Sequence, residues 1–233
     1  MKKAVLHLTF LLIVTLIASG QDYHYSQYDR APVILNPALA GNFYGILKTE
    51  VSYRDQWTSF NAPFKTYSAS IDGKIPLKKV KVNQCAIITD FFGYGIYAYS
   101  DRAGDGDLTS TSLMLTLSYV KNLSDRLRAA MGASIGFGNK KINLNNLHFI
   151  SQWNGTAFES ELPAELLGKQ NTFNYLDLNA GIYLSDSVAK NTILYIGSSL
   201  SHINQPQDRF LLNYVKIPWK LNIHGGIRWR NKK

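Results

Sequence analysis

From about Leu47 to the end of this 233-residue chain, apolar side chains recur at every second position. The clearest run places Leu127, Ala129, Met131, Ala133, Ile135 and Phe137 on one parity, against Arg126, Arg128, Ala130, Gly132, Ser134, Gly136 and Gly138 on the other. A period of two is the signature of a β-strand, whose successive side chains point to opposite faces. The split returns in Leu176, Leu178, Ala180, Ile182 and Leu184 against Tyr175, Asp177, Asn179, Gly181 and Tyr183. It returns again in Trp219, Leu221, Ile223, Gly225, Ile227 and Trp229 against Lys220, Asn222, His224, Gly226, Arg228 and Arg230. Weaker copies lie at 47–54, 64–75, 91–100, 113–120 and 192–202, making eight candidate strands. The stretch 84–90 is mixed and carries no legible register.

One buried face produces this period in a soluble β-sandwich as well as in a membrane barrel. Three features favour the barrel. Several strands reach the roughly ten residues a tilted membrane strand needs. Aromatics such as Trp219, Trp229, Tyr119 and Phe137 sit at strand ends, and the non-apolar parity carries Gly, Ser and Arg, which suit a wet lumen. Connection lengths alternate too: short turns are read at 76–83, 122–125 and 185–190, and longer links at 55–63, 101–107, 142–172 and 203–216. Outer-membrane barrels show this asymmetry, with tight periplasmic turns and extended outer loops. The expected fold is therefore all-β, a transmembrane antiparallel β-barrel with about eight strands present.

Composition narrows the function. With 45% hydrophobic and 12% aromatic residues the chain is no disordered tail, and its net charge of +9 is spread without the like-charge blocks of nucleic-acid-binding arms. Cys85 is the single cysteine, which excludes an intramolecular disulfide and a cysteine-based metal cluster. Lys2 and Lys3 precede an apolar run that ends at Ala18-Ser19-Gly20, the plan of an export signal. The run is about 15 residues, short of the roughly 20 that cross a bilayer as a helix. Residues 1–20 are thus expected to be a cleaved signal peptide, 21–46 a periplasmic or plug segment, and 47–233 an outer-membrane β-barrel.

The segment after the signal carries Tyr25-Ser26-Gln27-Tyr28 and then Asn36-Pro37-Ala38-Leu39-Ala40-Gly41. Tyr53-Arg54-Asp55-Gln56-Trp57, Thr66-Tyr67-Ser68-Ala69-Ser70 and Asp101-Arg102-Ala103-Gly104-Asp105-Gly106 follow in order. These blocks resemble the PorP/SprF family of type IX secretion system membrane proteins, with Asp55 where the family usually has Asn. Members are generally longer, so the resemblance implies part of a larger barrel, truncated at the C-terminus; a closed eight-strand barrel is the other possibility. It also implies a non-enzymatic component of the type IX secretion and gliding-motility machinery of Bacteroidetes, in the outer membrane. The implied partners are secreted adhesins with type B C-terminal sorting domains, periplasmic machinery components and outer-membrane lipid, with no nucleic acid and no cofactor. The motif residues Tyr25, Gln27, Tyr28, Asn36, Pro37, Arg54, Gln56 and Trp57 become candidates for partner binding or plugging, and Asp101, Arg102, Gly104, Asp105 and Gly106 form a candidate loop.

Other chemistry is weaker. Asp101, Asp105 and Asp107 with Gly104 and Gly106 invite a calcium-loop reading, but their spacing fails the EF-hand rule, and the Gly-rich β-helix repeat needs tandem copies. A glycine-rich connection between strands fits better. Gly132, Gly136 and Gly138 lie inside a strand, where they make room in the lumen-facing layer, and are no dinucleotide fingerprint. His24, His148, His202 and His224 form no metal-binding spacing. Lys78, Lys79 and Lys81 fall in an expected basic turn. The alternatives to the secretion role are a small barrel with lipid-modifying chemistry at Ser199, Ser201 and His202, or a hydrophobic-solute channel. The signal reading has a direct check: mass spectrometry of the exported protein should find a mature chain beginning near Gln21, and retention of Met1 on the membrane-embedded form contradicts it.

Overall fold

The computed structural model describes residues 32–59, 63–82, 85–104, 106–143, 147, 150–157, 171–189, 191–208 and 215–229, of which 78–82 and 85–89 by their backbone alone. A single helical turn, α1 (Pro32–Leu35), and a 3-10 turn (Pro37–Leu39) precede the sheet. Eight strands then follow as β1 (Leu47–Gln56), β2 (Phe64–Val82), β3 (Cys85–Ala103), β4 (Leu108–Asn122), β5 (Leu127–Lys141), β6 (Thr172–Ala189), β7 (Thr192–Ser201) and, after a two-stranded ribbon, β10 (Lys220–Trp229). The ribbon pairs β8 (Gln207–Asp208) with β9 (Val215–Lys216) inside the last long connection.

Each large strand pairs antiparallel with its sequence neighbour, in the order β1-β2-β3-β4-β5-β6-β7-β10. This up-and-down meander needs only hairpin connections, which is why antiparallel pairing wins over parallel. The strand parity read from the sequence holds throughout, and burial is inverted relative to a soluble protein. Ile71, Ile96, Leu115, Met131, Ile135, Ile182, Ile196 and Ile223 point outward, with Leu117 69% and Ile223 71% exposed. On the other face Thr66, Asp72, Ser112, Thr116, Ser118, Asp177 and Ser199 are buried. A contiguous apolar surface of this extent is what a lipid-facing sheet presents and what water-soluble monomers avoid. The model is an antiparallel transmembrane β-barrel sheet, curled around its polar face.

Curling follows from geometry. Asn36 reaches His224 on β10, while the Gly41 amide, five residues on, donates to Asp72 Oδ2 on β2 at 3.3 Å. Six strand spacings separate β2 from β10, about 29 Å in a flat sheet. A stretch containing a 3-10 turn advances only about 2 Å per residue there. The sheet must bend round to bring both strands to one segment.

The structure shifts several boundaries. The expected turn at 76–83 is strand: β2 runs to Val82, and Lys78, Lys79 and Lys81 face Asp90, Ile88 and Ala86 in the ladder with β3. The pairing slips between Pro76 and Lys79. Pro76 has no N–H to donate, so the ladder is irregular beside it, and the irregularity scrambled the period over 84–90. β3 likewise extends to Ala103, which takes Asp101 and Arg102 out of the loop. β6 continues through Ala189 across the expected 185–190 turn, again with a register shift. The length asymmetry of the connections stands: those after β2, β4 and β6 are short, and the longest, after β5 and β7, lie at the opposite end.

Lipid contact on the convex face gives a quantitative expectation. Leu115→Lys should lower stability in bilayer vesicles by about 2–4 kcal/mol, and Asn222→Lys on the opposite face by less. Equilibrium denaturant unfolding from vesicles measures both; equal costs would contradict the assignment of faces.

Candidate functional site

The polar concave face is occupied by residues 32–43. Asn36 starts the 3-10 turn: its backbone is extended (φ −155°) and its side chain accepts from the Ala38 amide at 2.9 Å, while Pro37 supplies the preset φ favoured at a first helical position. The same side chain donates from Nδ2 to the Ile182 carbonyl at 2.8 Å and the Ser198 carbonyl at 3.2 Å, and lies 3.1 Å from His224 Nε2. One fully buried amide thus ties the segment to β6, β7 and β10. Ser199 Oγ donates to the Leu35 carbonyl at 2.6 Å and Ser118 Oγ to the Ala40 carbonyl at 2.8 Å, adding a β7 and a β4 contact. Lys74 Nζ donates to the Phe43 carbonyl at 2.6 Å and sits 4.9 Å from the centre of the Phe91 ring.

Small residues make this approach possible. A Cβ on Gly93 would fall 2.1 Å from the Ala40 oxygen, one on Gly132 2.5 Å from the Pro37 oxygen, and one on Gly181 2.1 Å from Asn36 Oδ1. Glycine on β3, β5 and β6, with Ser118 between on β4, forms a trough across the sheet into which Ala38 and Ala40 fit with no exposure. Gly41 closes the segment at φ +71°, a conformation costly for residues with a Cβ.

Toward the long-loop end the concave face has a different chemistry. Asp177, buried on β6, meets His202 Nδ1 at 2.8 Å, and Asn179 accepts from the His202 amide at 3.1 Å while donating to Ser134 Oγ at 3.1 Å. His202 is held in the left-handed region at φ +58°. Ser199, considered with His202 for lipid chemistry, has its hydroxyl on Leu35 instead. Aromatic pairs Tyr97–Tyr99 and Phe173–Tyr175 line the same end, with Lys140 Nζ 5.9 Å from the rings of the second pair.

The candidate residues named from motifs therefore fall into separate places. Asn36 and Pro37 sit at the centre of the concave face. Arg54 and Gln56 lie at the far end of β1, followed by Trp57 at φ +60°, which packs edge-on to Phe64 at 5.3 Å. Asp101 accepts from Thr66 Oγ1, and Arg102 Nε donates to Asp107 Oδ1 at 2.7 Å. Gly104 turns the chain at φ +73°, and the Asp107 amide returns to its carbonyl at 3.1 Å. Gly106 follows in the same tight turn, its carbonyl accepting from the Asn143 amide at 2.7 Å. Tyr25, Gln27, Tyr28 and Asp105 lie outside the described residues. Sequence reading did not single out Asp72, Lys74, Gly93, Ser118 or Gly181 for this site. Gly93 and Gly181 share the lumen-facing parity with Gly132, and that alignment was the available signal.

The trough predicts its own dependence. Asn36→Ala removes hydrogen bonds from a fully buried site at a cost of about 1–3 kcal/mol, and Gly132→Val should cost a similar amount by overpacking against Pro37. Both should expose 32–43 to protease and speed amide exchange at Ala38 and Ala40; unchanged protection would separate the segment from the sheet energetically.

Neither the curated proteins nor the solved structures yield a match to the chain. The family model described as type IX secretion system membrane protein PorP/SprF matches residues 17–232, nearly the whole length. The outward apolar face, the antiparallel meander and this match together make the chain a member of the PorP/SprF family of type IX secretion system membrane proteins.

Proposed function

We propose that the protein is an outer-membrane docking component of the type IX secretion and gliding-motility machinery. It is exported by its first 20 residues, holds secreted adhesins bearing type B C-terminal sorting domains, and engages periplasmic components from its short-turn end. The observation that carries this reading is the concave face itself: residues 32–43 lie across it, bound to β2, β4, β6, β7 and β10. A lumen obstructed by its own chain suits a binding role better than a solute channel. A non-enzymatic role is also supported at one of the two candidate nucleophiles, since the Ser199 hydroxyl is engaged by the backbone of Leu35.

In this reading residues 21–46 act as a plug, and its motif residues Tyr25, Gln27 and Tyr28 bind the periplasmic partner. Arg54, Gln56, Trp57 and the turn at Gly104 and Gly106 belong to the opposite rim, where cargo is met. Affinity purification from outer membranes of the native host tests the proposal. The expected result is recovery of a secreted adhesin and of periplasmic machinery, with the adhesin reduced at least several-fold by a combined Arg54→Ala and Trp57→Ala change. Recovery of neither from correctly inserted protein would overturn it.

A further inference from the structure

At the short-turn end of the concave face, the N-terminal segment and the two edges of the sheet border a half-open cavity of about 300 Å³. Lys48, the second residue of β1, and Arg228, the last but one of β10, both line it, although these strands are opposite edges of the sheet. The other principal walls are Tyr183 on β6, Tyr195 on β7, His224 on β10 and Phe43. Among the described residues no carboxylate lines it. Lys48 bridges to Glu50 on its own strand at 2.8 Å. The Arg228 guanidinium lies 5.8 Å from the centre of the Tyr195 ring.

An arginine resting over a ring is held in orientation while its planar fork of donors remains suited to a carboxylate. The wall beside it is aromatic: Tyr183 stacks on His224 at 6.2 Å and 20°, and is tilted against Tyr195 at 6.0 Å and 31°. A volume of this size is at the small end of ligand pockets and takes one or two side chains. We propose that the cavity receives an acidic residue of an extended peptide, its carboxylate on Arg228 with support from Lys48, and a neighbouring aromatic or aliphatic side chain along the Tyr183–His224 wall. A peptide is favoured over a lipid headgroup because the acyl-facing surface is the convex one, whereas the strand residues that line the cavity are on the concave face. The inference rests on the docking reading above and supplies the chemistry of its periplasmic partner.

The test uses the full mature chain in lipid nanodiscs and a fluorescent, end-blocked hexapeptide, Gly-Phe-Glu-Phe-Glu-Gly, followed by anisotropy. Saturable binding is expected, weakening as salt rises and falling about tenfold or more for the peptide with Gln in place of Glu. Arg228→Gln should give a similar loss and Lys48→Gln a smaller one. Arg228→Lys, which keeps the charge, should retain part of the binding and serves if Arg228→Gln does not fold. Equal affinity for the Gln peptide, or unchanged binding in Arg228→Gln, overturns the proposal. So does displacement by inorganic phosphate or by anionic-lipid vesicles as effective as by unlabelled Glu peptide, which would make this a general anion or headgroup site. The docking reading fails separately: peptide binding with no machinery recovered from membranes sinks that reading alone, and undiminished recovery with Arg228→Gln sinks this one alone.

Discussion

Hydrocarbon offers no hydrogen bonds, so every backbone N–H and C=O of a spanning strand must find its partner on a neighbouring strand. Everything else in this molecule is arranged around that constraint. The meander satisfies it with hairpins from β1 through β10, and the alternation of side chains then follows from the pleat: one face must be oil-soluble because lipid lies against it. The six internal strands are paired on both sides, while among the described residues β1 and β10 each have one neighbour. Those two edges are where the hydrogen-bonding demand is greatest, and they are also where Lys48 and Arg228 meet around a single cavity.

Turning the apolar face outward removes the usual source of a core. The interior here is built from polar and small groups, and its cohesion depends on each of them being satisfied. Asn36 illustrates the solution: one carboxamide caps a 3-10 turn and reaches three strands. The apolar part of the interior is small, with Phe91, Val120, Ala130 and Tyr183 packed around Ala38. Glycine and alanine therefore have a role that large side chains have in a soluble protein. They let backbone approach backbone, so that the carbonyls of Pro37 and Ala40 lie against the sheet without a void.

The two ends of the concave face differ in chemistry. The long-loop end carries a buried Asp177–His202 pair with aromatic neighbours. The short-turn end carries cations and aromatic rings beside the N-terminal segment. Residues 32–43 cross the concave face between these two ends.

Strand parity was legible in the residues alone, because a side chain that faces lipid and one that faces a packed interior cannot exchange places without the whole strand failing. The family was legible too, through blocks such as Tyr53 to Trp57 whose order is hard to reproduce by chance. Strand ends were not: β2 and β3 run well past the apolar period, since beyond the bilayer a paired hairpin of any polarity persists, and Pro76 breaks the register there. Nor could local sequence place Asn36 against residues as distant as His224 or bring Lys48 to Arg228. The Asn36–His224 contact and the cavity that Lys48 and Arg228 share exist only because the sheet curls, and curvature is a property of the assembled strands. The sequence by itself determined which face meets lipid, through a constraint acting on each residue separately; the tertiary structure decided what fills the other face, because that depends on which distant strands the bend brings together.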